Sequence, residues 1–289
     1  MYVVLGANGR AGGETARALL EMRKPVRVVL RHPEQADEWA GLGADVAIGD
    51  IDDAPSLAKA LSDASGAFLL CPPPVNGAPY LRAEEIGSAL AQTARQAELP
   101  KVVALSSIGA QHATGTGVIA MLHSLEKHLV GAALSTTFLR PGYFVETWGE
   151  VATAVIEDGV LPSFLEPAVK FPMVSTVDVG RTAARLLSDD FGGNRVVELR
   201  GPQDWCADDV ATAFGRVLDR PVKTAFVPAE ERLAILVQEG VSPEVAEALL
   251  GMYDGIASGR VAHETGNEQV YGSVELIDAV ERIVRHMAA

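Results

Sequence analysis

Cysteine is scarce in this sequence of 289 residues: only Cys71 and Cys206 occur, far apart and outside any C-x-x-C spacing. Neither a disulfide framework nor a zinc site is indicated, and reduced thiols in a core are expected. No apolar run approaches the ~20 residues that span a bilayer, and no basic segment with a long apolar stretch opens the chain. These absences predict a cytoplasmic protein without a membrane segment or a signal peptide.

Positive charge is also in short supply. Lysine and arginine number 24 against 38 aspartates and glutamates, which gives a formal charge of -14 at pH 7. Such a chain repels phosphate backbones and anionic lipids, which argues against nucleic acid and membrane surfaces as partners. The 6 histidines lack metal-ligand spacing, so no metal site is predicted. A small-molecule or protein partner is expected instead.

Short apolar runs alternate with longer segments of helical period in the first half of the sequence, a pattern typical of βαβ units and a parallel sheet. Six strands with intervening helices predict an α/β fold with a doubly wound parallel Rossmann sheet in residues 1–145. Residues 146–289 are predicted to form a smaller, mostly helical substrate region, from which strands can return to the first sheet. The predicted strands are 2–5, 26–30, 45–48, 67–71, 102–106 and 136–139, and the predicted helices include 11–22, 80–98, 118–130, 146–157 and 243–257.

A glycine-rich turn, residues 6–12, follows the first predicted strand and opens the first helix. In that context Gly6 permits the tight turn, Gly9 lets backbone N–H groups approach a pyrophosphate, and Gly12 lets the helix pack closely on the strand. The helix N-terminus adds unpaired N–H donors and the positive end of a dipole. A plain strand-to-helix corner is the alternative. The predicted cofactor residues of the turn are Gly6, Asn8, Gly9, Arg10, Ala11 and Gly12.

Arg31 ends the second predicted strand, where an NAD-binding site usually has an acidic residue for the ribose hydroxyls. A guanidinium at that position grips a 2′-phosphate with two charge-assisted hydrogen bonds and gives NAD no comparable contact. Arg31 therefore predicts NADP(H) in preference to NAD(H), and a solvated surface arginine is the alternative.

Together with Arg31, three segments resemble the NmrA-like family of atypical short-chain dehydrogenase/reductases: the turn 6–12, Gly49-Asp50 after the third strand, and Leu139-Arg140-Pro141-Gly142 after the sixth. The resemblance runs nearly the whole chain, and residues 236–259 are similar to the triphenylmethane reductases and quinone reductases of that family. It implies an NADP-binding Rossmann domain, a small C-terminal domain and a substrate cleft between them.

The resemblance also assigns roles to residues after the third, fourth and fifth strands. After the third strand, Asp50 and Ile51 are implied to flank the adenine, and a solvated cap is the alternative. After the fourth, Cys71, Pro72 and Pro73 are implied to lie along the cofactor, and a rigid turn is the alternative. After the fifth, Ser106 and Ser107 are implied to lie near the nicotinamide as catalytic candidates, and hydrogen bonds to local backbone groups are the alternative.

Short-chain dehydrogenases usually hold a Tyr-x-x-x-Lys pair that passes a proton to the substrate, and no tyrosine here has a lysine four positions later. His123 and Lys127 have that spacing on the predicted fifth helix, so His123 is a candidate proton donor. A partly exposed helical histidine is the alternative. The glutamate that family members carry on this helix corresponds to Glu126, which puts the usual pair positions on the apolar Val118 and Leu122.

Aromatic and sulfur side chains in the second half are placed to wall a flat, apolar substrate site, although most are expected to be core residues. Without a positioned acid, a quinone, dye or other conjugated acceptor is favoured, because solvent protons complete its reduction. The sequence thus predicts an NADPH-dependent reductase of an aromatic, quinone-like or dye-like small molecule. It leaves open an NADP(H)-binding redox sensor, a reductase or isomerase of a specialised metabolite, a homodimer and a regulatory protein partner. The candidate substrate residues are Tyr143, Phe144, Trp148, Met252 and Tyr253.

Overall fold

A central sheet of parallel strands organises residues 1–287, which the computed structural model describes. In chain order the strands are β1 (Tyr2–Leu5), β2 (Val26–Leu30), β3 (Asp45–Ile48), β4 (Gly66–Leu69), β5 (Lys101–Leu105), β6 (Ser135–Pro141), β7 (Tyr143–Phe144), β8 (Val160–Ser163), β9 (Phe171–Val174), β10 (Gly193–Arg200), β11 (Asp204–Trp205), β12 (Lys223–Phe226) and β13 (Glu268–Tyr271). Eight of them form the central sheet in the order β3-β2-β1-β4-β5-β6-β10-β13. Every pairing in it is parallel, so all eight carboxyl ends lie along one edge.

Helices cover this sheet and build the region beside it. In chain order they are α1 (Arg10–Glu21), α2 (Ala36–Gly41), α3 (Ala54–Leu61), α4 (Pro79–Gln96), α5 (Ile119–Leu129), α6 (Ala152–Asp158), α7 (Thr176–Ser188), α8 (Ala207–Val217), α9 (Ala229–Gln238), α10 (Pro243–Ala257) and α11 (Leu276–Met287). Two 3₁₀ segments, Pro33–Gln35 and Val145–Val151, complete the described elements. No helix within residues 1–287 is long and apolar enough to cross a membrane.

The predicted α/β fold with a doubly wound parallel sheet is confirmed. Successive residues of β1 point to opposite faces: Val3 packs in the core that includes Leu90 of α4, and Val4 in the core that includes Leu19 of α1. Because helices cover both faces, a strand needs apolar residues at every position rather than at alternate ones. That double cover explains the nearly continuous apolar runs of the sequence.

The predicted helix 146–157 differs from the structure. Its first half is the 3₁₀ segment Val145–Val151, and only the second half is α-helical, as α6. Val145 and Trp148 are both buried, at 1% and 6% exposure, and they stand three residues apart. Residues three apart lie one above the other on a 3₁₀ helix, so this form turns both side chains into the same core.

The predicted second region, 146–289, is described to residue 287, and its elements divide between two places. β10 and β13 extend the central sheet beyond β6, and α7 packs against α1. Most of the remaining elements share a separate core around Trp205 and Phe214, to which α9 contributes no residue. Its strands form two small sheets, β11-β9-β7 and β12-β8.

The packing of α7 on α1 depends on a glycine. A Cβ atom added to Gly180 would stand 2.3 Å from the backbone carbon of Glu14, closer than any side chain tolerates. The obstacle is helix backbone, so a larger residue at position 180 requires the two helices to move apart.

We therefore expect Gly180→Ala to lower the free energy of unfolding by about 1–3 kcal/mol, because overpacking a buried contact strains both elements. Gly41→Ala is the matched control, since no atom lies within 4 Å of the Cβ it adds. The measurement is urea denaturation followed by circular dichroism. Equal stability of the two variants would contradict the close contact of α1 and α7.

Candidate nucleotide and acceptor site

The glycine-rich turn after β1 has two positions, Gly6 and Gly12, at which the backbone leaves no room for a side chain. Gly6 adopts φ +68°, the left-handed region that favours glycine, and a Cβ on Gly12 would stand 2.2 Å from the carbonyl oxygen of Gly6. The Gly9 N–H donates to that same oxygen at 2.9 Å, which closes the turn. At Gly9 itself the nearest atom to an added Cβ is 3.3 Å away. Gly6 and Gly12 are thus required by the fold, whereas Gly9 is free to serve a ligand.

The first turn of α1 presents donors without a competing anion. The N–H groups of Arg10, Ala11 and Gly12 have no partner inside the helix, as at any helix start. Gly9, the N-cap, supplies no side-chain cap, and no acidic residue stands in the first turn. A pyrophosphate fits such a helix start, because free N–H groups and the positive dipole end both favour an anion.

Two side chains of the turn have protein partners. The indole N–H of Trp39 donates to Asn8 Oδ1 at 2.8 Å, and Asn8 Nδ2 donates to Gln35, so Asn8 ties the turn to α2 and the 3₁₀ segment before it. The Arg10 guanidinium pairs with Glu150 at 3.2 Å. The backbone of Asn8 and Arg10 is thus part of the turn, whereas their side chains bind neighbouring elements of the protein.

Arg31, Asp50 and Ile51 lie at the carboxyl ends of β2 and β3, beside the glycine-rich turn in the strand order. Arg31 is exposed and belongs to no ion pair within residues 1–287. The carboxylate of Asp50 accepts the N–H of Asp52 at 3.0 Å and so shapes its own loop. A free guanidinium at this edge fits the phosphate that distinguishes NADP from NAD.

An apolar cavity of about 270 Å³, here called the inner cavity, opens at the carboxyl ends of β4, β5 and β6. Since β1 and β4 are neighbours, the inner cavity and the glycine-rich turn follow adjacent strands, although no residue of the turn lines the cavity. Cys71 and Pro73 form one wall, and burial raises the pKa of the Cys71 thiol to about 11, so this sulfur is a neutral wall atom. The predicted site residues that line the inner cavity are Cys71, Pro73, Ser106, Ser107, Tyr143, Phe144 and Met252.

Trp148 and Tyr253 line a second cavity of about 800 Å³, here called the outer cavity, instead of the inner one. Tyr143 lines both. The hydroxyls of Tyr143 and Tyr253 are 3.4 Å apart, and burial raises the pKa of each phenol above its ordinary value. Both tyrosines are therefore neutral at physiological pH.

A buried ion pair lies behind Ser106. Arg140, 5% exposed, donates to both carboxylate oxygens of Glu126, from Nε at 2.8 Å and from Nη2 at 2.7 Å. A third bond joins Arg140 to Glu264 at 2.9 Å. Burial opposes the charge of Arg140, but hydrogen bonds and charges from Glu126 and Glu264 outweigh it and raise the pKa of Arg140. In the sequence, Glu126 and Arg140 stood out only through the family resemblance, and their pairing was not predicted. No local pattern marks an ion pair that forms between two separate elements.

Both candidate catalytic serines have their protons engaged inside the protein. Ser106 Oγ donates to Glu126 Oε1 at 2.5 Å, and Ser107 Oγ donates to the carbonyl of Ile108 at 3.0 Å. A hydroxyl has one proton and two lone pairs, so Ser106 can only accept from a ligand in the inner cavity. The amide of a nicotinamide is such a donor, whereas an oxyanion is not.

His123 lies apart from these residues. Its Nδ1 is 2.8 Å from the carbonyl oxygen of Ala110, and the ring lines a different cavity, with Lys127. Val118 and Leu122, where the sequence register puts the usual tyrosine and lysine, do line the inner cavity. The structure thus brings Val118 and Leu122, and not His123, to the inner cavity. Within residues 1–287, no group of three or more His, Cys, Asp or Glu side chains is arranged to hold a metal ion.

Comparisons with known proteins agree on one family. The profile of the NmrA-like family matches residues 2–269. NAD(P)H azoreductase of Xenophilus azovorans is 25% identical over 253 residues, 88% of this chain and 86% of the azoreductase. Quinone oxidoreductase 2 of Escherichia coli (strain K12) is 23% identical over 266 residues, 90% of this chain and 89% of that protein. The crystal structure of Citrobacter sp. triphenylmethane reductase complexed with NADP(H) shares the fold, with a TM-score of 0.81 at 21% identity, over 98% of this chain and 100% of that one.

The ion pair behind Ser106 gives a stability prediction. Arg140→Met should cost about 3–5 kcal/mol of unfolding free energy, because it leaves the Glu126 carboxylate buried without a counter-charge. The double variant Arg140→Met with Glu126→Leu removes both charges and should recover most of that loss. Urea denaturation of the parent, the two single variants and the double variant measures the coupling. A double variant no more stable than Arg140→Met would argue against the pair.

Proposed function

Because the chain belongs to the NmrA-like family, we propose that it is an NADPH-dependent reductase of an aromatic, quinone-like or dye-like small molecule. The observation that carries the proposal is the juxtaposition, along one sheet edge, of the glycine-rich turn and the inner cavity. In open α/β sheets, ligands bind at the carboxyl ends of the strands. A nucleotide held at the turn after β1 has the apolar cavity after β4 and β5 as its neighbour. The names of the azoreductase and the quinone oxidoreductase support the same class of reaction.

In this proposal the chain holds the dinucleotide with residues that fit it. The turn 6–12 and the start of α1 bind the pyrophosphate, Arg31 binds the 2′-phosphate, and Ser106 accepts a hydrogen bond from the carboxamide. Cys71 and Pro73 wall the same side of the inner cavity. When bound, the nicotinamide supplies the hydride. The apolar lining positions a flat acceptor and excludes water from it.

The two serines at the inner cavity offer no free proton to a reduced acceptor, which favours conjugated acceptors. The protons of Ser106 and Ser107 are engaged, and the side chains at the customary donor positions are Val118 and Leu122. Reduction of a simple ketone needs a positioned acid, whereas a reduced quinone or dye takes its proton from solvent. The inner cavity therefore suits an acceptor whose added charge spreads over a conjugated system.

A redox sensor is the second candidate function, and the same engaged serine protons favour it. A protein that binds NADP(H) without turnover needs no proton donor. The inner cavity favours the reductase, since a sensor has no need of an apolar chamber beside the cofactor. A reductase or isomerase of a specialised metabolite shares the cofactor site and differs in substrate alone. The proposed location of the protein is the cytoplasm.

The cofactor preference depends on one side chain. The parent protein should bind NADPH at least about tenfold more tightly than NADH, because charge-assisted bonds to the 2′-phosphate contribute roughly 1.5–3 kcal/mol. Arg31→Ala should abolish that difference, and Arg95→Ala, near the end of α4, should keep it. Titration of nicotinamide fluorescence measures the affinities. Equal affinities in the parent protein would show that Arg31 has another role.

Turnover separates the two candidate functions. The parent protein should oxidise NADPH steadily with at least one acceptor in a panel of quinones and dyes. Gly9→Asp places a negative side chain at the proposed pyrophosphate position, where its Cβ meets only the Gly6 carbonyl oxygen, at 3.3 Å. Cofactor binding and turnover should therefore vanish while the fold persists with a small local shift. Turnover by His123→Ala should stay within about threefold of the parent, since general acid catalysis contributes about 100-fold or more. NADPH binding without turnover across the panel would favour the sensor.

A further inference from the structure

The proposed reductase has a second cavity whose residues no role above explains. We propose that the outer cavity binds the far end of an elongated acceptor and selects a cationic group there over an anionic one. This inference rests on the proposed function, because it extends the acceptor site past the inner cavity. The outer cavity lies between α6, β8, α9 and α10, and its apolar walls include Trp148, Phe164, Leu236, Leu249 and Tyr253.

The two cavities adjoin at Tyr143. This residue and Thr147 line both of them, so the two spaces meet at the same two side chains. The Tyr143 hydroxyl has only the Tyr253 hydroxyl as a hydrogen-bond partner within residues 1–287, at 3.4 Å. Bonds between hydroxyls are usually near 2.7–2.8 Å, so this contact is weak. A ligand that spans the two cavities therefore breaks only one weak hydrogen bond when it parts the tyrosines, and the Tyr143 ring has Trp148 and Phe171 as its other aromatic neighbours.

The wall of the outer cavity that α9 forms has few buried contacts. Helix α9 contributes Ile235 and Leu236 to the cavity, yet none of its residues is buried. Leu233 and Val237 of the same helix are 38% and 41% exposed. An element with few buried apolar contacts opens at low cost, so α9 can shift to admit a ligand.

Carboxylates outnumber cations at the outer cavity, where the guanidinium of Arg232 lies beside the lining residue Phe164. The charged lining residues of this cavity are all carboxylates, and Glu150 alone is in an ion pair within the described chain, with Arg10. The other three, Glu157, Asp158 and Glu239, are exposed at the mouth. Their field adds to that of a chain of formal charge -14, so the mouth attracts cations and repels sulfonates or carboxylates.

The floor of the outer cavity is suited to a cation with an apolar body. Phe164 and Tyr253 meet edge to face at 5.2 Å, and Trp148 lies in the same lining. Aromatic faces attract alkylated and guanidinium cations. The Phe164 ring already has the guanidinium of Arg232 at 5.7 Å from its centre, so Trp148 and Tyr253 are the rings that remain for a ligand cation. The ligand class is thus an extended aromatic acceptor whose far end carries an alkylated ammonium group.

The test uses three acceptors built on one naphthoquinone, each with a phenylalkyl arm that ends in trimethylammonium, tert-butyl or sulfonate. For the parent protein, kcat/KM should be at least tenfold higher for the ammonium arm than for the sulfonate arm, with the neutral arm between them. The triple variant Glu157→Gln, Asp158→Asn, Glu239→Gln should reduce that ratio to about twofold. Leu249→Trp, which narrows the outer cavity, should weaken binding of all three arms.

The matched control neutralises three carboxylates elsewhere, in the variant Glu21→Gln, Asp63→Asn, Glu98→Gln. These residues follow or end α1, α3 and α4, at the opposite edge of the sheet, so the ratio should keep its parent value. Calorimetric affinities of the three acceptors for the protein without NADPH give the same comparison independently of turnover. An equal loss of the ratio in both triple variants, or no preference in the parent affinities, would overturn the inference. Absence of turnover with a preserved preference in affinity would overturn the proposed reductase and leave the outer cavity intact.

Discussion

The ion pair between Glu126 and Arg140 fixes the inner side of the candidate site. It joins α5 to β6, and Glu126 also takes the proton of Ser106 at the end of β5. Arg140 extends the link to Glu264, in the loop before β13. Separated from its partner, either buried charge would lack both water and a counter-ion, which is far more costly than the pair itself. The elements around the inner cavity are therefore held in one arrangement, and Ser106 presents only lone pairs to it.

The proposed binding of an anionic dinucleotide by a strongly acidic chain requires a local surface that does not repel the phosphates. The start of α1 provides such a surface by leaving its N–H groups uncapped and its first turn free of acidic residues, and Arg31 adds a free positive charge nearby. Three unpaired carboxylates stand instead at the mouth of the outer cavity. The charged residues that line the outer cavity are thus all carboxylates, whereas the cavity at the glycine-rich turn is lined by both arginines and glutamates.

Features that depend on neighbouring residues were predictable from the sequence. The glycine-rich turn needs Gly6 for its positive φ and Gly12 for its approach to the Gly6 carbonyl, and both requirements act within seven residues of chain. The six predicted strands lie in the central sheet. They were predictable because each is a short apolar run between segments of helical period, which is a pattern of neighbouring residues. For the segment 146–157 the same reasoning gave a wrong prediction, because its first half is a 3₁₀ helix and not an α-helix. Burial of Val145 and Trp148 in a core built from residues far away in the sequence selects the 3₁₀ form, and helical periodicity alone does not reveal those contacts.

By itself, the sequence determined the fold class, the position of the glycine-rich turn and the absence of any Tyr-x-x-x-Lys spacing, because each is a matter of residue type and short spacing. The tertiary structure decided which side chains meet. It joined Glu126 to Arg140, engaged the protons of Ser106 and Ser107, set His123 in a cavity of its own, and divided the aromatic residues between the inner and outer cavities. These juxtapositions link residues from separate elements, and they exist only once strands and helices have packed.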